Sequence, residues 1–330
     1  MKAQVINSFG DPSVFTMIDV PIPEIIPGHI LIKVHATSVN PIDCKVRSGA
    51  AASIAPDFPA ILHGDVAGIV ESIGDGVINF NKGDEVYGCA GGFRGLGGAL
   101  AEFMLVDAKL ITKKPKSLSM QESTALPLVS ITAWEALFEK AKLAKGMNIL
   151  IHGGAGGVGH IATQLAKWCG AKVYVTVRKE EDFPLMKAFG ADETINAQEE
   201  DVEEYKSRLT NNHGFDIIFD TVGGVNLDKS FAAAALNGTI VTIAARSTHD
   251  LTPMHSKGLS LHCELMLLPM LTNHHRERHG KILEKIAGIV DDGKLKPLID
   301  SHRFTLEEVA EAHKLVESGR ANGKVVISIG

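Results

Sequence analysis

The chain has 330 residues, more than a single hydrophobic core ordinarily serves, so two domains are expected. Its hydrophobic fraction of 45% and charged fraction of 22% are those of a globular protein rather than a disordered or fibrous one. A net charge of −6 excludes a general nucleic-acid surface, which needs a basic field. No apolar run reaches membrane-spanning length, and "MKAQVINSFGDPS" has no signal-peptide core, giving the expectation of a cytoplasmic protein that does not enter a membrane.

The first third reads as β. "KAQVINSF" and "HILIKVHATSV" alternate apolar and polar residues, and "PIPEIIPGH" breaks the pattern between them. "GDVAGIVESIGDGV" and "NKGDEVYGCA" continue it as short strands with glycine turns. The expectation is a small, barrel-like, mostly antiparallel domain. "GCAGGFRGLGGALAEF" is expected to be a flexible loop that either shapes a pocket or connects strands.

After Ser119 the pattern changes. Ser119 and Glu122 fit a capping box, and a helical pattern follows, interrupted by Pro127. From Asn148 strands and helices alternate: "NILIHG" strand, "VGHIATQLAKWCG" helix, "KVYVTV" strand, "EDFPLMKAFG" helix, "ETIN" strand, "VEEYKSRLTN" helix, "FDIIFDTVGG" strand, "NLDKSFAAAALN" helix and "GTIVTIAA" strand. This rhythm predicts a parallel, doubly wound sheet. "LSLHCELMLLP" reads as a buried strand. Two helices follow, in "HHRERHGKILEKIAGIVDDG" and "TLEEVAEAHKLVESG", and "GKVVISI" ends the chain as a strand that completes the first domain. The expected boundaries are 1–120 with 270–330 for the first domain and 121–269 for the second.

The four cysteines, Cys44, Cys89, Cys169 and Cys263, are scattered without a CxxC pair, as for free thiols in a reducing compartment. His275 and His279 are spaced i, i+4 but lack the HExxH pattern, so a solvated, mixed-charge helix start is expected.

Gly154, Gly156 and Gly159 satisfy G-x-G-x-x-G between a strand and a helix. The first glycine is expected to make the tight turn, the second to admit a pyrophosphate and the third to let the helix pack against the strand. Ala155 and Gly157 lie within the loop, and Val158 opens the helix, whose free N–H groups attract phosphate. An NAD-binding chain commonly carries an acidic residue at the end of the next strand, to bind the ribose 2′-hydroxyl. Here Val177 is followed by Arg178 and Lys179, a pair that favours a 2′-phosphate and therefore NADPH. Glu180, Glu181 and Asp182 next read as the acidic first turn of a helix.

"ATSVNPIDCKVRSG", "HGDVAGIVESIGDGV", "KGDEVYG", "TALPLVSITAWEAL", "HGGAGGVG" and "FDIIFDTVGG" occur in that order, with "GKVVISI" at the end. Together they resemble the medium-chain dehydrogenase/reductase superfamily, and within it the zinc-independent quinone oxidoreductases, the zeta-crystallin-like branch. The resemblance covers nearly the whole chain. It implies an α/β protein with a GroES-like, mostly-β catalytic domain, a Rossmann domain with a doubly wound parallel sheet, and a cofactor cleft between them. It also implies a homodimer formed along the "LSLHCELMLLP" segment. Zinc enzymes of the superfamily carry Cys-x-x-Asp and Gly-His-Glu motifs. Asn40 stands at the cysteine position here, Asp43 matches the aspartate, and Gly64 replaces the histidine, with His63 one residue away. A third ligand position falls near Leu128. No metal is therefore expected.

Without a Lewis acid, alcohol oxidation is disfavoured, and hydride transfer to an electron-poor quinone or conjugated enone remains. Asn40 is the first candidate for contact with nicotinamide ribose or substrate, its alternative being a turn cap. Asp43 either orients neighbouring groups or is a structural turn carboxylate. Lys45 stands where similar enzymes often have a tyrosine touching the cofactor, and reads equally as a solvated lysine. Thr132 fits the cofactor-contacting "TAW" segment of the family. Val222 and Gly223 follow one strand of the Rossmann sheet and Ala244 and Ala245 end the next, where ligands bind in such sheets. Arg246 either contacts phosphate or faces solvent. Alternative readings are an enoyl-thioester reductase or zinc-independent alcohol dehydrogenase on the same scaffold, and a redox-inactive NADPH sensor or structural protein.

Overall fold

A computed structural model describes residues 1–329 and divides the chain into two compact units, Met1–Ile131 with Leu267–Gly330, and Thr132–Met266. In the first unit, β1 (Lys2–Ile6) pairs antiparallel with β2 (Phe15–Asp19). β3 (His29–Val39) is the longest strand, and its "ILIKV" alternation keeps Ile30, Ile32 and Val34 in the core. α1 (Pro41–Ser48) follows at once. Pro41 at its first position supplies the helical φ, and Gly49 stops it in the left-handed region at φ 85°. β4 (Asp65–Ile73), β5 (Glu85–Cys89), β6 (Phe103–Asp107) and β7 (Ile111–Lys113) complete the β-rich part. α2 (Met120–Thr124) begins with the expected box: Ser119 N–H donates to Glu122 Oε2 at 2.8 Å, and Glu122 N–H donates to Ser119 Oγ at 3.2 Å.

α3 (Pro127–Trp134) starts at the proline that interrupts the pattern and runs into a π-helical turn, Glu135–Lys140. In the second unit come β8 (Asn148–His152), α4 (Gly157–Cys169), β9 (Lys172–Val177), α5 (Phe183–Ala188), β10 (Glu193–Asn196), α6 (Val202–Thr210), β11 (Phe215–Asp220), α7 (Asn226–Ala233), β12 (Ala234–Thr242), α8 (Thr252–Lys257) and β13 (Ser260–Cys263). The acidic run Glu180–Asp182 forms a 3-10 turn leading into α5. The chain then returns to the first unit with α9 (Leu268–Thr272), α10 (Glu277–Asp291), β14 (Phe304–Thr305), α11 (Val309–Glu317) and β15 (Val325–Ser328).

The six strands of the second unit form one parallel sheet in the order β10-β9-β8-β11-β12-β13. This is the doubly wound order, and its direction reverses between β8 and β11. Leu150, Tyr174, Ile195, Phe215, Ile218, Phe231 and Ile240 fill one face of that sheet. In the first unit the sheet order is β14-β15-β3-β4-β5-β7, with β6 also on β3. β15 pairs antiparallel with β3, so the C-terminal residues continue the N-terminal sheet. Buried Tyr87 donates its hydroxyl to Leu283 O at 2.7 Å and fixes α10 to that sheet.

Four expectations need correction. The helix expected through "AAAALN" ends at Ala233: Ala234 pairs with Phe215 of β11, the register then shifts with Asn237 in the left-handed region at φ 59°, and regular pairing resumes at Thr239. "LSLHCELMLLP" is not a buried strand: only Ser260–Cys263 is extended, at the sheet edge and half-exposed, and Leu268 starts α9. The helix after "NHHR" starts at Glu277; His275 is exposed at φ 58°, but His279 is fully buried rather than solvated. Residues 88–93 and 98–101 are buried, so the exposed loop is confined to 94–97. Phe93, Leu100 and Ala101 are fully buried, and a Cβ on Gly91 would lie 1.8 Å from Gly97 O.

Candidate active site

The glycine turn lies at the carboxyl end of β8, beside the point where strand order reverses. Gly153, not Gly154, makes the tight turn, at φ 75°. Its N–H reaches Thr176 Oγ1 at 3.3 Å, and Gly154 N–H donates to Thr176 O at 2.9 Å, tying the loop to β9. A Cβ on Gly154 would lie 1.9 Å from Val175 Cγ1, and one on Gly159 would lie 2.2 Å from Gly153 O. Both glycines are therefore required by the protein's own packing. Gly156 differs: it is exposed, and a Cβ there would meet only Gly153 O, at 3.2 Å. That open space is where a pyrophosphate needs to approach.

Gly156 is also the N-cap of α4, which starts at Gly157, one residue ahead of the expected start at Val158. The first intrahelical bond is donated by His160 N–H to Gly156 O at 3.1 Å, so the N–H groups of Gly157, Val158 and Gly159 precede the helix ladder and point at the cradle. Ala155 is half-buried in the loop.

Asp220, fully buried at the end of β11, accepts from the N–H groups of Val222 and Gly223, both at 2.9 Å, and from Asn226 Nδ2 at 3.1 Å. These bonds set Gly223 at φ 73°, so close to Ala244 that a Cβ on Gly223 would lie 2.3 Å from Ala244 O. A Cβ on Gly153 would in turn lie 3.2 Å from Val222 Cγ2. The glycine turn, Val222–Gly223 and Ala244 therefore converge at the ends of β8, β11 and β12. Val222 stays 55% exposed there, an apolar side chain only partly covered by the protein. Ala245 and Arg246 are exposed beyond β12, and Thr132 is buried within α3.

Arg178 and Lys179 are exposed at the end of β9, and neither side chain makes a hydrogen bond or ion pair among the described residues. Burial holds His152, beside the turn, down to about 4, so it is neutral and adds no charge. The open Gly156 position and the helix start fit the pyrophosphate of a nicotinamide dinucleotide.

In the first unit a different cluster forms where the superfamily's zinc motifs lie. Asn40 is the N-cap of α1, 1% exposed. Its N–H donates to Asp43 Oδ2 at 2.7 Å, so Asp43 caps the helix from inside. Burial pushes the Asp43 carboxyl up to about 7; Asp65 adds to the shift, while the Asn40 N–H bond and Lys324 oppose it. The Asn40 side chain turns the other way. Its Nδ2 donates to Asp65 Oδ2 at 2.8 Å, and its Oδ1 accepts from Lys324 Nζ. Ser38 Oγ donates to Asp65 Oδ2 at 2.8 Å, Leu128 N–H donates to Asp65 Oδ1 at 2.9 Å, and Lys324 Nζ lies 3.3 Å from Asp65 Oδ2. Asp65 and Lys324 side chains are 0% and 3% exposed, a buried ion pair with its hydrogen bonds satisfied. Lys45 is exposed on the outer face of α1, on the rim of a shallow cavity of about 220 Å³ with Cys44, Ser48 and Glu317.

The three zinc-motif positions do not supply a zinc donor set. Asn40 offers an amide already bonded to a carboxylate and an ammonium. Gly64 offers nothing, and a Cβ there would lie 2.9 Å from Cys89 Sγ and from Gly91 O. Leu128 contributes only its N–H. Zinc sites are built from thiolate, imidazole and carboxylate donors, and none of these three residues offers one. The positive charge in this pocket is the Lys324 ammonium.

His63 precedes the strand, which begins only at Asp65, and is itself in the left-handed region at φ 74°. Its ring stacks on His313, with Nε2 to Nε2 at 2.8 Å. Thr37 donates its hydroxyl to Asp65 O at 2.6 Å, so its oxygen accepts from His63 Nδ1 at 3.3 Å. His63 Nε2 must then accept from His313 Nε2, and His313 Nδ1 accepts from Cys44 Sγ at 3.4 Å. Each ring carries one proton. Burial accordingly lowers His63 well below its usual value and His313 to about 3, and raises the Cys44 thiol to about 12.

Asp65, Lys324 and Ser38 were not singled out from sequence. Asp65 follows Gly64 at the position of the superfamily's glutamate, and Lys324 is a charge opening an apolar strand, "KVVISI". Those are the two signals that point to them.

Residues 26–116 match the family described as "Alcohol dehydrogenase GroES-like domain", and residues 189–327 match that described as "Zinc-binding dehydrogenase". The chain is 32% identical to the human quinone oxidoreductase, over 99% of this chain and 97% of that protein. It is 34% identical to the tomato (Solanum lycopersicum) 2-methylene-furan-3-one reductase, over 99% and 79% of the two chains. Its structure matches that of an alcohol dehydrogenase superfamily protein from Novosphingobium aromaticivorans at a TM-score of 0.96, with 35% identity and 100% of both chains covered. No described helix is long and apolar enough to cross a membrane. With the GroES-like and Rossmann-type units established, the chain belongs to the medium-chain dehydrogenase/reductase superfamily of oxidoreductases, in its quinone oxidoreductase branch.

Proposed function

We propose that this protein is an NADPH-dependent reductase that delivers hydride to a quinone or conjugated enone without a metal ion. The observation that carries the reading is the donor set at the zinc-motif positions. An amide, a glycine and a leucine backbone surround a lysine–aspartate pair, and none of them polarises an alcohol oxygen as a Lewis acid does. The names of the human and tomato relatives, a quinone reductase and an exocyclic-enone reductase, fit acceptors that are already electron-poor.

The reduced nicotinamide, when bound, supplies the hydride. The chain's own residues bind and orient. Gly156 and the N-terminus of α4 receive the pyrophosphate, and Val222, Gly223, Ala244, Ala245, Arg246 and Thr132 are the proposed contacts along the dinucleotide. Arg178 and Lys179 receive the 2′-phosphate as paired cations, which is the basis for NADPH over NADH. Asn40 hydrogen-bonds the nicotinamide ribose or the acceptor, and Asp43 holds the first turn of α1 in place beneath it. Lys45, exposed on α1, is a secondary contact.

The edge position of β13 supports a homodimer paired along that strand. The free cysteines fit a cytoplasmic setting.

The test is turnover of chelator-treated protein, read as loss of reduced-nicotinamide absorbance with a quinone, an enal and an enoyl thioester. The reading expects quinone or enal reduction with NADPH. Preference for the enoyl thioester moves the assignment to a thioester reductase, and no turnover with any acceptor points to a cofactor-binding sensor.

A further inference from the structure

The carboxamide of Asn40 is held between two opposite charges. Lys324 Nζ donates to Oδ1, and Asp65 Oδ2 accepts from Nδ2 at 2.8 Å. The two ends of a carboxamide have nearly the same shape, so packing alone does not choose between its two orientations. Charge does. A flipped amide would set its oxygen against the Asp65 carboxylate and its N–H groups against the Lys324 ammonium. Asp65 is itself fixed by Ser38 Oγ at 2.8 Å and Leu128 N–H at 2.9 Å, and Lys324 also reaches Val39 O at 3.4 Å. These anchors come from β3, β4, α3 and the residue preceding β15, so the clamp cannot rotate as a unit.

We propose that Lys324 and Asp65 are positioning residues that lock the Asn40 carboxamide in one orientation, the one in which it meets the nicotinamide ribose or the acceptor carbonyl. This rests on the reading of Asn40 as a contact in quinone or enone reduction. The ion pair takes over the organising role of a metal: it fixes a polar group in a buried pocket, but acts through an amide rather than on the substrate directly.

The experiment compares Lys324→Met, Lys324→Arg, the double variant Lys324→Met/Asp65→Asn, Asn40→Ala and the combination Asn40→Ala/Lys324→Met. Lys324→Met is expected to lower kcat for a quinone by about tenfold or more, the scale of a misplaced reacting group. Its NADPH affinity, set by the glycine turn and the Arg178–Lys179 pair, is expected to stay within about twofold. Lys324→Arg recovers part of kcat. The charge-neutral double variant recovers thermal stability but not kcat, which separates positioning from folding. In the Asn40→Ala background Lys324→Met costs nothing further, because the group it positions is gone.

The side-chain amide signals of Asn40 in a 15N NMR spectrum give a readout that needs no turnover. They are expected to be sharp and shifted in the wild type and averaged in the double variant. Full kcat in a folded Lys324→Met protein overturns the inference, as do multiplying losses of Asn40→Ala and Lys324→Met. If the wild type reduces no acceptor at all, the functional reading fails, and the amide signals alone decide: identical spectra in the wild type and the double variant overturn the clamp, and averaged signals in the variant uphold it.

Discussion

Asp43 is expected to make the stability of this protein depend on pH near neutrality, in the direction opposite to the usual one. A buried carboxyl raised from 3.8 to about 7 is bound to its proton more tightly in the folded chain than in the unfolded one. At about 1.4 kcal/mol per unit, that shift is worth on the order of 4 kcal/mol. The contribution is fully present below about pH 4. It is lost as pH rises to about 7, because the folded state must then hold a buried anion, and it is flat above. Asp43→Asn mimics the protonated form and keeps an oxygen to accept from Asn40 N–H. Its stability relative to the wild type should therefore climb by about 1.4 kcal/mol per pH unit between pH 5 and 7 and then level off. At about 2–4 °C per kcal/mol for a unit of this size, the difference in Tm between the two proteins should widen by about 5–10 °C from pH 5 to pH 8. Thermal unfolding followed by circular dichroism measures it. A Tm difference that stays constant across that range would refute the reasoning, since the carboxyl would not be titrating there.

His63 and His313 are each expected to show one neutral tautomer, protonated at Nδ1 and Nε2 respectively, with no titration in NMR spectra from pH 8 to pH 5; midpoints near 6.5 would contradict the ordered chain from Cys44 to Asp65. Both rings have lowered folded values, so their effect runs against that of Asp43: stability is lost as pH falls below about 6.5. Gly154→Ala, whose Cβ would lie 1.9 Å from Val175 Cγ1, should cost about 1–3 kcal/mol in denaturant unfolding. Gly156→Ala should leave unfolding nearly unchanged and weaken NADPH and NADH alike in a fluorescence titration; equal destabilisation by the two substitutions would show that Gly156 is not the phosphate side of the turn. Arg178→Ala should weaken NADPH by about tenfold while leaving NADH within about twofold, and a matched loss for both would remove Arg178 from the 2′-phosphate site.

The fold was readable in the sequence because its signals are local. Alternating strands, the Ser119–Glu122 box and the strand–glycine–helix rhythm each occupy fewer than about a dozen residues. The misread segments are those where tertiary pairing outweighs local preference. The alanine run ending at Ala234 carries helix formers, but Ala234 is taken into pairing with Phe215 of β11, and of the apolar "LSLHCELMLLP" only Ser260–Cys263 is extended, at the sheet edge. The glycine turn between β8 and α4 was legible, since G-x-G-x-x-G is one contiguous motif. Its tight-turn role moved from Gly154 to Gly153 and the helix start from Val158 to Gly157, because φ is not written in residue type when several glycines adjoin. The polar cluster was legible at Asn40 and Asp43 alone. Its other half, Lys324, lies 284 positions from Asn40 in sequence, and no periodicity or spacing connects them. The His63–His313 pair, 250 positions apart, was hidden for the same reason.

Metal-free hydride transfer from NADPH is tested most directly by one comparison: the rate of quinone reduction by protein stripped of metal, with NADPH and with NADH as donors. The account predicts undiminished turnover after chelation and a higher kcat/KM with NADPH. Activity that disappears on chelation and returns with zinc, or a donor preference for NADH, would contradict it.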